Sequence, residues 1–347
     1  MLRKRFRIGV LFVAVWSWAT LPYAAAPTSV PVPASQPALR NVILISWDGM
    51  DRGVLKQRLA ASKMPNLAAL IKEGSLQDIE VTGHVTDTKP GHAQMLTGLA
   101  PQTTGVITNH RFQPIPEGYT LFERVQKQLG KDNVRTIMVA SKTGNLGGRG
   151  PGEGGDDGTS TKGEPYFLTR KHLDVFDAQT RAAPETCPLF LKYMGLFKAQ
   201  RFLAFVHFSD PDVEGHAHGS GSKEYRAAAV ACDEALGQSV AWLKKEKLYD
   251  QTLIYVTADH GFDQNATSHH NAPHVTLATN DKDVAKGGTQ ADIAPTILEK
   301  FGVDLSKLEP KLPGRPLTAP AKKPAALAPT TRPAAAPRAP APAPAGR

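Results

Sequence analysis

The sequence predicts an α/β fold built on a central, mostly parallel sheet. Three observations carry this. Short apolar runs alternate along the chain with stretches of helical spacing, the pattern of a layered α/β domain. The runs are rich in β-branched and aromatic residues on both faces, as strands buried from both sides require. Three of them end in acidic residues, at the place where an open α/β sheet delivers groups to a ligand.

The elements follow in order. Residues 41–47, Asn-Val-Ile-Leu-Ile-Ser-Trp, read as a buried strand that stops at Asp48-Gly49. Residues 64–74 have helical spacing and a glycine stop. A helix is expected over 91–99, just after Thr88-Lys89-Pro90. Residues 134–140 form a second strand, and 201–208 a third that runs into Asp210 and Asp212. A long helix is expected over 222–247. A fourth strand, 252–258, ends at Asp259-His260-Gly261, and a helix over 291–302 closes the domain. One acid after a strand is commonly a cap or turn former. Three, two of them with histidines attached, point to a ligand site. The glycine-rich stretch 144–163, with Asp156 and Asp157, lacks the strand–GxxxxGK–helix frame of a P-loop and is expected to be a mobile surface loop or lid.

The ends differ from this core. Arg3, Lys4, Arg5 and Arg7 precede an apolar run, 8–19, and then Ala24, Ala25 and Ala26. This three-part pattern makes 1–26 a signal peptide, with an uncleaved anchor as the alternative, and predicts an exported protein, periplasmic or secreted. Residues 27–38 form a Pro/Ala linker, 39–308 the catalytic domain, and 309–347 a disordered, basic Pro/Ala-rich tail. The net charge of +9 resides in these ends, since eight basic residues lie beyond Leu305; the middle is slightly acidic. No specific nucleic-acid binding and no membrane span in the mature chain are therefore expected. With 2 cysteines in all, a disulfide scaffold and a four-cysteine zinc site are excluded. Pairing of Cys187 with Cys232 stays open.

The polar residues at the strand ends have a metal-binding character. Asp212 and His216 stand four apart, Asp259 and His260 are adjacent, and His274 follows a short loop. Carboxylate with imidazole suits zinc, manganese or iron. Thr88 lies just before a proline-started helix, whose N-terminus favours an anion such as phosphate. Coordination to a metal would activate its weakly nucleophilic hydroxyl, although a plain helix cap would place a threonine there too.

At these residues the chain resembles the alkaline phosphatase superfamily, specifically its type I phosphodiesterase/nucleotide pyrophosphatase branch. The resemblance rests on Ile45-Ser-Trp-Asp-Gly49, Thr88-Lys-Pro-Gly-His92 with Leu96-Thr-Gly98, Pro211-Asp-Val-Glu-Gly-His216, Thr257-Ala-Asp-His-Gly261 and Asp292-Ile-Ala-Pro-Thr-Ile-Leu298, all in the family's order. It implies an alkaline-phosphatase-like three-layer sandwich and a site for two divalent metal ions, usually zinc. Asp212, His216 and His274 would hold the first; Asp48, Asp259 and His260, with the Thr88 oxygen, the second. His269 and His270 lie nearby, but His274 in Pro-His-Val-Thr best fits the family's last ligand. Asn109 aligns with an asparagine that contacts a phosphoryl oxygen. The implied activity is that of a phosphodiesterase/nucleotide pyrophosphatase acting on a small phosphoester through a phospho-threonine intermediate. A phosphomonoesterase or phosphoryl transferase on the same scaffold is the alternative, and a non-catalytic binding protein a more distant one. Lys142 either contacts phosphate or is solvated. The sulfatase pattern is absent at the nucleophile. Only 13 residues separate His260 from His274, where larger family members carry a long insertion, so the substrate does not follow by analogy.

Overall fold

The computed structural model describes residues 41–153 and 162–318. The segments expected to be a signal peptide and a linker, the chain beyond Thr318 and the middle of the glycine-rich stretch lie outside them. Among the described residues no helix is long and apolar enough to cross a membrane.

Eight strands form one sheet: β1 (Asn41–Trp47), β2 (Ser75–Glu80), β3 (Arg135–Ala140), β4 (Val175–Ala178), β5 (Phe202–Phe208), β6 (Thr252–Thr257), β7 (His274–Thr279) and β8 (Gly288–Thr289). Their order is β4-β3-β5-β1-β6-β7-β2-β8. All run parallel except β7, which is antiparallel to both β6 and β2. Every residue of β1, β5 and β6 is buried, as a sheet covered on both faces demands.

Among the described residues ten α-helices accompany it: α1 (Arg52–Ala60), α2 (Pro65–Glu73), α3 (Thr88–Thr97), α4 (Pro101–Thr104), α5 (Leu121–Leu129), α6 (Thr143–Leu146), α7 (Ala183–Leu196), α8 (Asp210–His218), α9 (Lys223–Lys245) and α10 (Ile293–Lys300). Packing sorts the main ones into two groups, α1, α2, α7 and α8 around α9, and α3 and α5 around α10. The architecture is thus an alkaline-phosphatase-like three-layer sandwich. Asp233 of α9 ties its layer together by accepting the Leu67 N–H of α2 at 2.7 Å.

Three features depart from the expectations. The helix expected over 91–99 begins at Thr88, because Pro90 sits in the first turn, where its missing N–H costs nothing. Residues 309–318, assigned to the tail, are packed: Leu317 is buried, its N–H donates to Thr296 Oγ1 at 2.9 Å, and Thr318 bridges Val284. The described ends of the glycine-rich stretch are also anchored, with Gly147, Gly148 and Gly150 buried and Arg149 paired to Glu164 at 2.7 Å. Cys187 and Cys232 are both buried free thiols, Cys187 donating to the Ala235 carbonyl. Burial pushes both thiols up, away from the reactive thiolate.

Candidate metal centre

The sheet order brings the predicted groups together. β1 lies between β5 and β6, so Asp48, the Asp210–Asp212 turn and Asp259-His260 emerge from three adjacent strand ends. Register aligns them, with Trp47 opposite Phe208 and Ser46 opposite Thr257. The Asp48 N–H donates to the Phe208 carbonyl at 2.9 Å and the Gly49 N–H to Asp259 Oδ1 at 3.0 Å. Gly49 takes a positive φ of 67°, and a β-carbon there would fall 2.8 Å from the Phe262 ring, which packs under the site. Gly91 answers the same need in α3: a β-carbon would stand 2.7 Å from the Asp259 carbonyl oxygen.

The polar atoms converge on His260. Its Nδ1 donates to the Gly261 carbonyl at 2.9 Å, which leaves the Nε2 lone pair facing the site. Around Nε2 stand Asp48 Oδ1 at 3.5 Å, Asp259 Oδ2 at 3.4 Å, Asp212 Oδ1 at 3.9 Å and Thr88 Oγ1 at 3.4 Å. Beside them, His216 Nε2 lies 3.4 Å from Asp212 Oδ1 and 3.2 Å from His269 Nε2. His216 also donates from Nδ1 to the Thr267 carbonyl, so its free nitrogen is again the inward one. Among the described residues two groups of ligand type result: Asp212, His216 and His269, and Asp48, Asp212 and His260.

His274 does not join them. It opens β7 in register opposite Glu80 of β2, and its exposed ring contacts Glu80 at 2.5 Å. The strand pairing that makes β7 carries the side chain away from Asp212. His269 stands in its place, on a loop held by a Thr86 hydroxyl that donates to the His269 carbonyl.

A metal fits this donor set. Asp48 Oδ1, Asp212 Oδ1 and Asp259 Oδ2 are buried and have no hydrogen-bond partner. Uncompensated buried carboxylate oxygens are costly, and a cation among them removes the cost. Lys142 supplies one positive charge, but on the far side: its Nζ donates to Asp48 Oδ2 at 2.8 Å and Asp212 Oδ2 at 2.5 Å, leaving both Oδ1 atoms free. Lys142 is thus ion-paired, a third arrangement beside the two its sequence context left open. Burial opposes the charge on Asp48, yet Lys142 and His207 hold its carboxyl well below the usual range. Burial and Asp48 work against Asp212 as well, and Lys142 and His216 bring it down to about 2. Both are therefore ionised at neutral pH.

Thr88 is the first residue of α3 and buried. Pro90 has no N–H, and the Lys89 and Gly91 N–H groups go to Asn109 Oδ1 and the Asp87 carbonyl, so it is the helix macrodipole that favours an anion there. Asn109 is locked beside it. Its Oδ1 accepts the Lys89 N–H at 2.9 Å, and its own N–H donates to Asp87 Oδ2 at 2.9 Å. The Nδ2 amide is the donor left for a ligand oxygen.

A sequence model of the type I phosphodiesterase/nucleotide pyrophosphatase family matches residues 42–311. The chain belongs to this family. Among its curated relatives, the bis(5′-adenosyl)-triphosphatase of Mus musculus is 23% identical over 236 residues, covering 67% of the chain and 49% of that protein. Ectonucleotide pyrophosphatase/phosphodiesterase family member 5 of Homo sapiens is 24% identical over 231 residues, 66% of the chain and 46% of that protein. The chain therefore spans about half the length of the curated relatives it matches. A solved alkaline phosphatase variant superposes with a TM-score of 0.53 at 15% identity, over 78% of the chain and 100% of its own, which shows the shared fold.

Sequence reasoning did not assign roles to His92, His207 and Asn145 or choose His269. A lone histidine inside the apolar run 201–208 was the available signal for His207. Asn145 donates to Asn109 Oδ1 at 3.3 Å.

Proposed function

We propose that the protein is an exported, metal-dependent phosphodiesterase/nucleotide pyrophosphatase-type hydrolase that works through a phospho-threonine at Thr88. The observation that carries this is the Thr88 hydroxyl at a helix N-terminus, 3.4 Å from His260 Nε2, beside three buried carboxylate oxygens without partners. Asp212, His216 and His269 would hold one divalent ion and Asp48, Asp259, His260 and the Thr88 oxygen a second, zinc being the metal this mixed donor set suits; bound there, they supply the positive charge that activates a hydroxyl and neutralises the transferring phosphoryl group.

The chain's own residues do the rest. The α3 N-terminus seats the phosphoryl group so that Thr88 Oγ lies in line with the leaving oxygen. The threonine oxygen bonds to phosphorus as the bond to the leaving group breaks. Asn109 Nδ2 donates to a non-bridging oxygen as charge gathers there. Water then displaces the threonine oxygen from the opposite side, returning the free hydroxyl and releasing the phosphorylated product. The names of the relatives support a nucleotide ester or anhydride as substrate.

Lys142 supports a second reading. It is the cation next to the metal carboxylates, 20% of its side chain is exposed, and a monoester brings an additional negative charge that such a group can meet. The test is hydrolysis of bis-p-nitrophenyl phosphate and p-nitrophenyl phosphate by the wild type, Thr88→Ala and Lys142→Ala. Diester turnover above monoester turnover, lost with Thr88→Ala by at least about 100-fold, is the expected result. Activity indifferent to Thr88 would sink the mechanism. Dominant monoester turnover that falls selectively in Lys142→Ala would move the function to a phosphomonoesterase.

A further inference from the structure

Beneath the metal centre lie two histidines to which the hydrolytic mechanism gives no role. His92 and His207 are both 0% exposed, and their rings meet edge to face at 4.9 Å. Each is held from behind by a serine. Ser46 Oγ lies 2.8 Å from His92 Nε2. Ser141 presents its backbone N–H at 3.3 Å and its hydroxyl at 3.2 Å to His207 Nδ1. The Ser141 hydroxyl oxygen is itself fixed by the Ser209 N–H at 2.8 Å.

These partners place the ring protons. A backbone N–H can only donate, so His207 Nδ1 is an acceptor and Nε2 carries the hydrogen. That hydrogen is donated to Asp48 Oδ2 at 2.9 Å. A carbonyl can only accept, so His92 carries its hydrogen on Nδ1, 2.9 Å from the Thr88 carbonyl and 3.3 Å from Asp259 Oδ2. Ser46 then donates to His92 Nε2. The outward face of each relay touches a group of the site, and the inward face ends on a serine of β1 or of the segment after β3.

We propose that Ser46–His92 and Ser141–His207 are matched positioning relays for the metal centre, the second selecting which oxygen of Asp48 is offered to the ion and the first fixing the opening turn of α3 against Asp259. A carboxylate is two-fold symmetric. His207 shares Asp48 Oδ2 with Lys142 Nζ at 2.8 Å, and as the rigid, fully buried partner it sets the carboxylate plane that dedicates Oδ1, the oxygen without a partner, to a metal. Hydrogen bonds to the outer atoms of ligands orient them and tune affinity. The inference rests on the metal-dependent reading above.

The experiment compares full-length wild type with His207→Leu, His207→Gln, Ser141→Ala, His92→Leu and His92→Asn. It measures zinc affinity by chelator competition, the visible spectrum of the cobalt(II)-loaded protein, and the thermal midpoint of the metal-free protein. Glutamine places an amide N–H where His207 Nε2–H lies, and asparagine one where His92 Nδ1–H lies. The leucine variants should lose zinc affinity by about 10–100-fold and change the cobalt spectrum, with Gln at 207 and Asn at 92 recovering most of both. Ser141→Ala should shift both in the same direction by less, and it serves if the leucine variants do not fold. Wild-type affinity and spectrum in the leucine variants, or in Ser141→Ala should the leucine variants not fold, would overturn the proposal. So would a loss that tracks the metal-free midpoint and is not recovered by the amides, since that marks packing alone. A wild type that takes up no zinc would instead overturn the metal-dependent reading itself, and the relays with it.

Discussion

At the scale of single residues, the outcome for the final ligand is the sharpest test of the site. His269 Nε2 lies 3.9 Å from Asp212 Oδ1 and 3.2 Å from His216 Nε2, whereas His274 is paired with Glu80. His269→Ala should therefore lower metal affinity by at least the ~10–100-fold that loss of an outer partner costs, and activity with it. His274→Ala should leave both near wild type, because it removes only a surface ion pair worth about 0–1 kcal/mol. Metal titration of the two variants decides it; the reverse order would return the ligand role to His274. Sequence placed Thr88, Asp48, Asp212, His216, Asp259 and His260 because each follows a strand or opens a helix in a recognisable string. It chose His274 over His269, whereas the antiparallel strand β7 begins at His274 and the structure sets His269 beside Asp212 and His216. It was also silent on His92 and His207, whose partners are 46 and 66 residues away in sequence.

At the scale of elements, the site depends on how closely α3 approaches the end of β6. Gly91 is the residue that sets this distance, since an added β-carbon would lie 2.7 Å from the Asp259 carbonyl oxygen and 3.0 Å from Asp259 Cβ. Both obstacles belong to a segment held by Gln290, whose Nε2 donates to the Ala258 and Asp259 carbonyls at 3.1 and 2.9 Å. The helix must therefore give way, carrying Thr88 out of line. A displacement of this order costs about 10²-fold in rate, so Gly91→Ala should lose about that much turnover while remaining folded by circular dichroism. Unchanged turnover would show that α3 can shift without moving Thr88. The strands that build this end were legible because β1, β5 and β6 are continuous apolar runs with β-branched and aromatic residues. Those that failed to show were β2, β4, β7 and β8. β2, β4 and β8 are short or only partly buried, while β7 is buried from Val275 to Thr279 but offers only Val275 and Leu277 as large apolar residues.

At the scale of the whole molecule, the core and the site pull against each other. The sandwich buries β1, β5 and β6 completely, and the same burial holds Asp48, Asp212 and Asp259 at 0–2% exposure with one lysine among them. Three carboxylates and one ammonium leave an excess of negative charge in a region of low polarizability, where like charges repel strongly. Lys142 offsets this at Asp48 and Asp212, and bound cations would satisfy what remains, the three carboxylate oxygens without partners. Anything that binds only the folded state stabilises it by mass action, by about 2.7 kcal/mol at a free concentration 100 times the dissociation constant. For a domain of this size that corresponds to a rise in Tm of about 5 °C. Dialysis against a chelator should lower Tm by this amount, and restoring zinc should recover it. Asp48→Asn with Asp212→Asn removes two of the candidate ligands and, with them, both partners of Lys142. That double variant should show no response to chelator, and its metal-free Tm should fall below that of the metal-free wild type, because the Lys142 ammonium then loses both of its carboxylate partners. A wild type indifferent to chelator, or a double variant that still responds, would mean that the partnerless carboxylate oxygens are not where the cation resides.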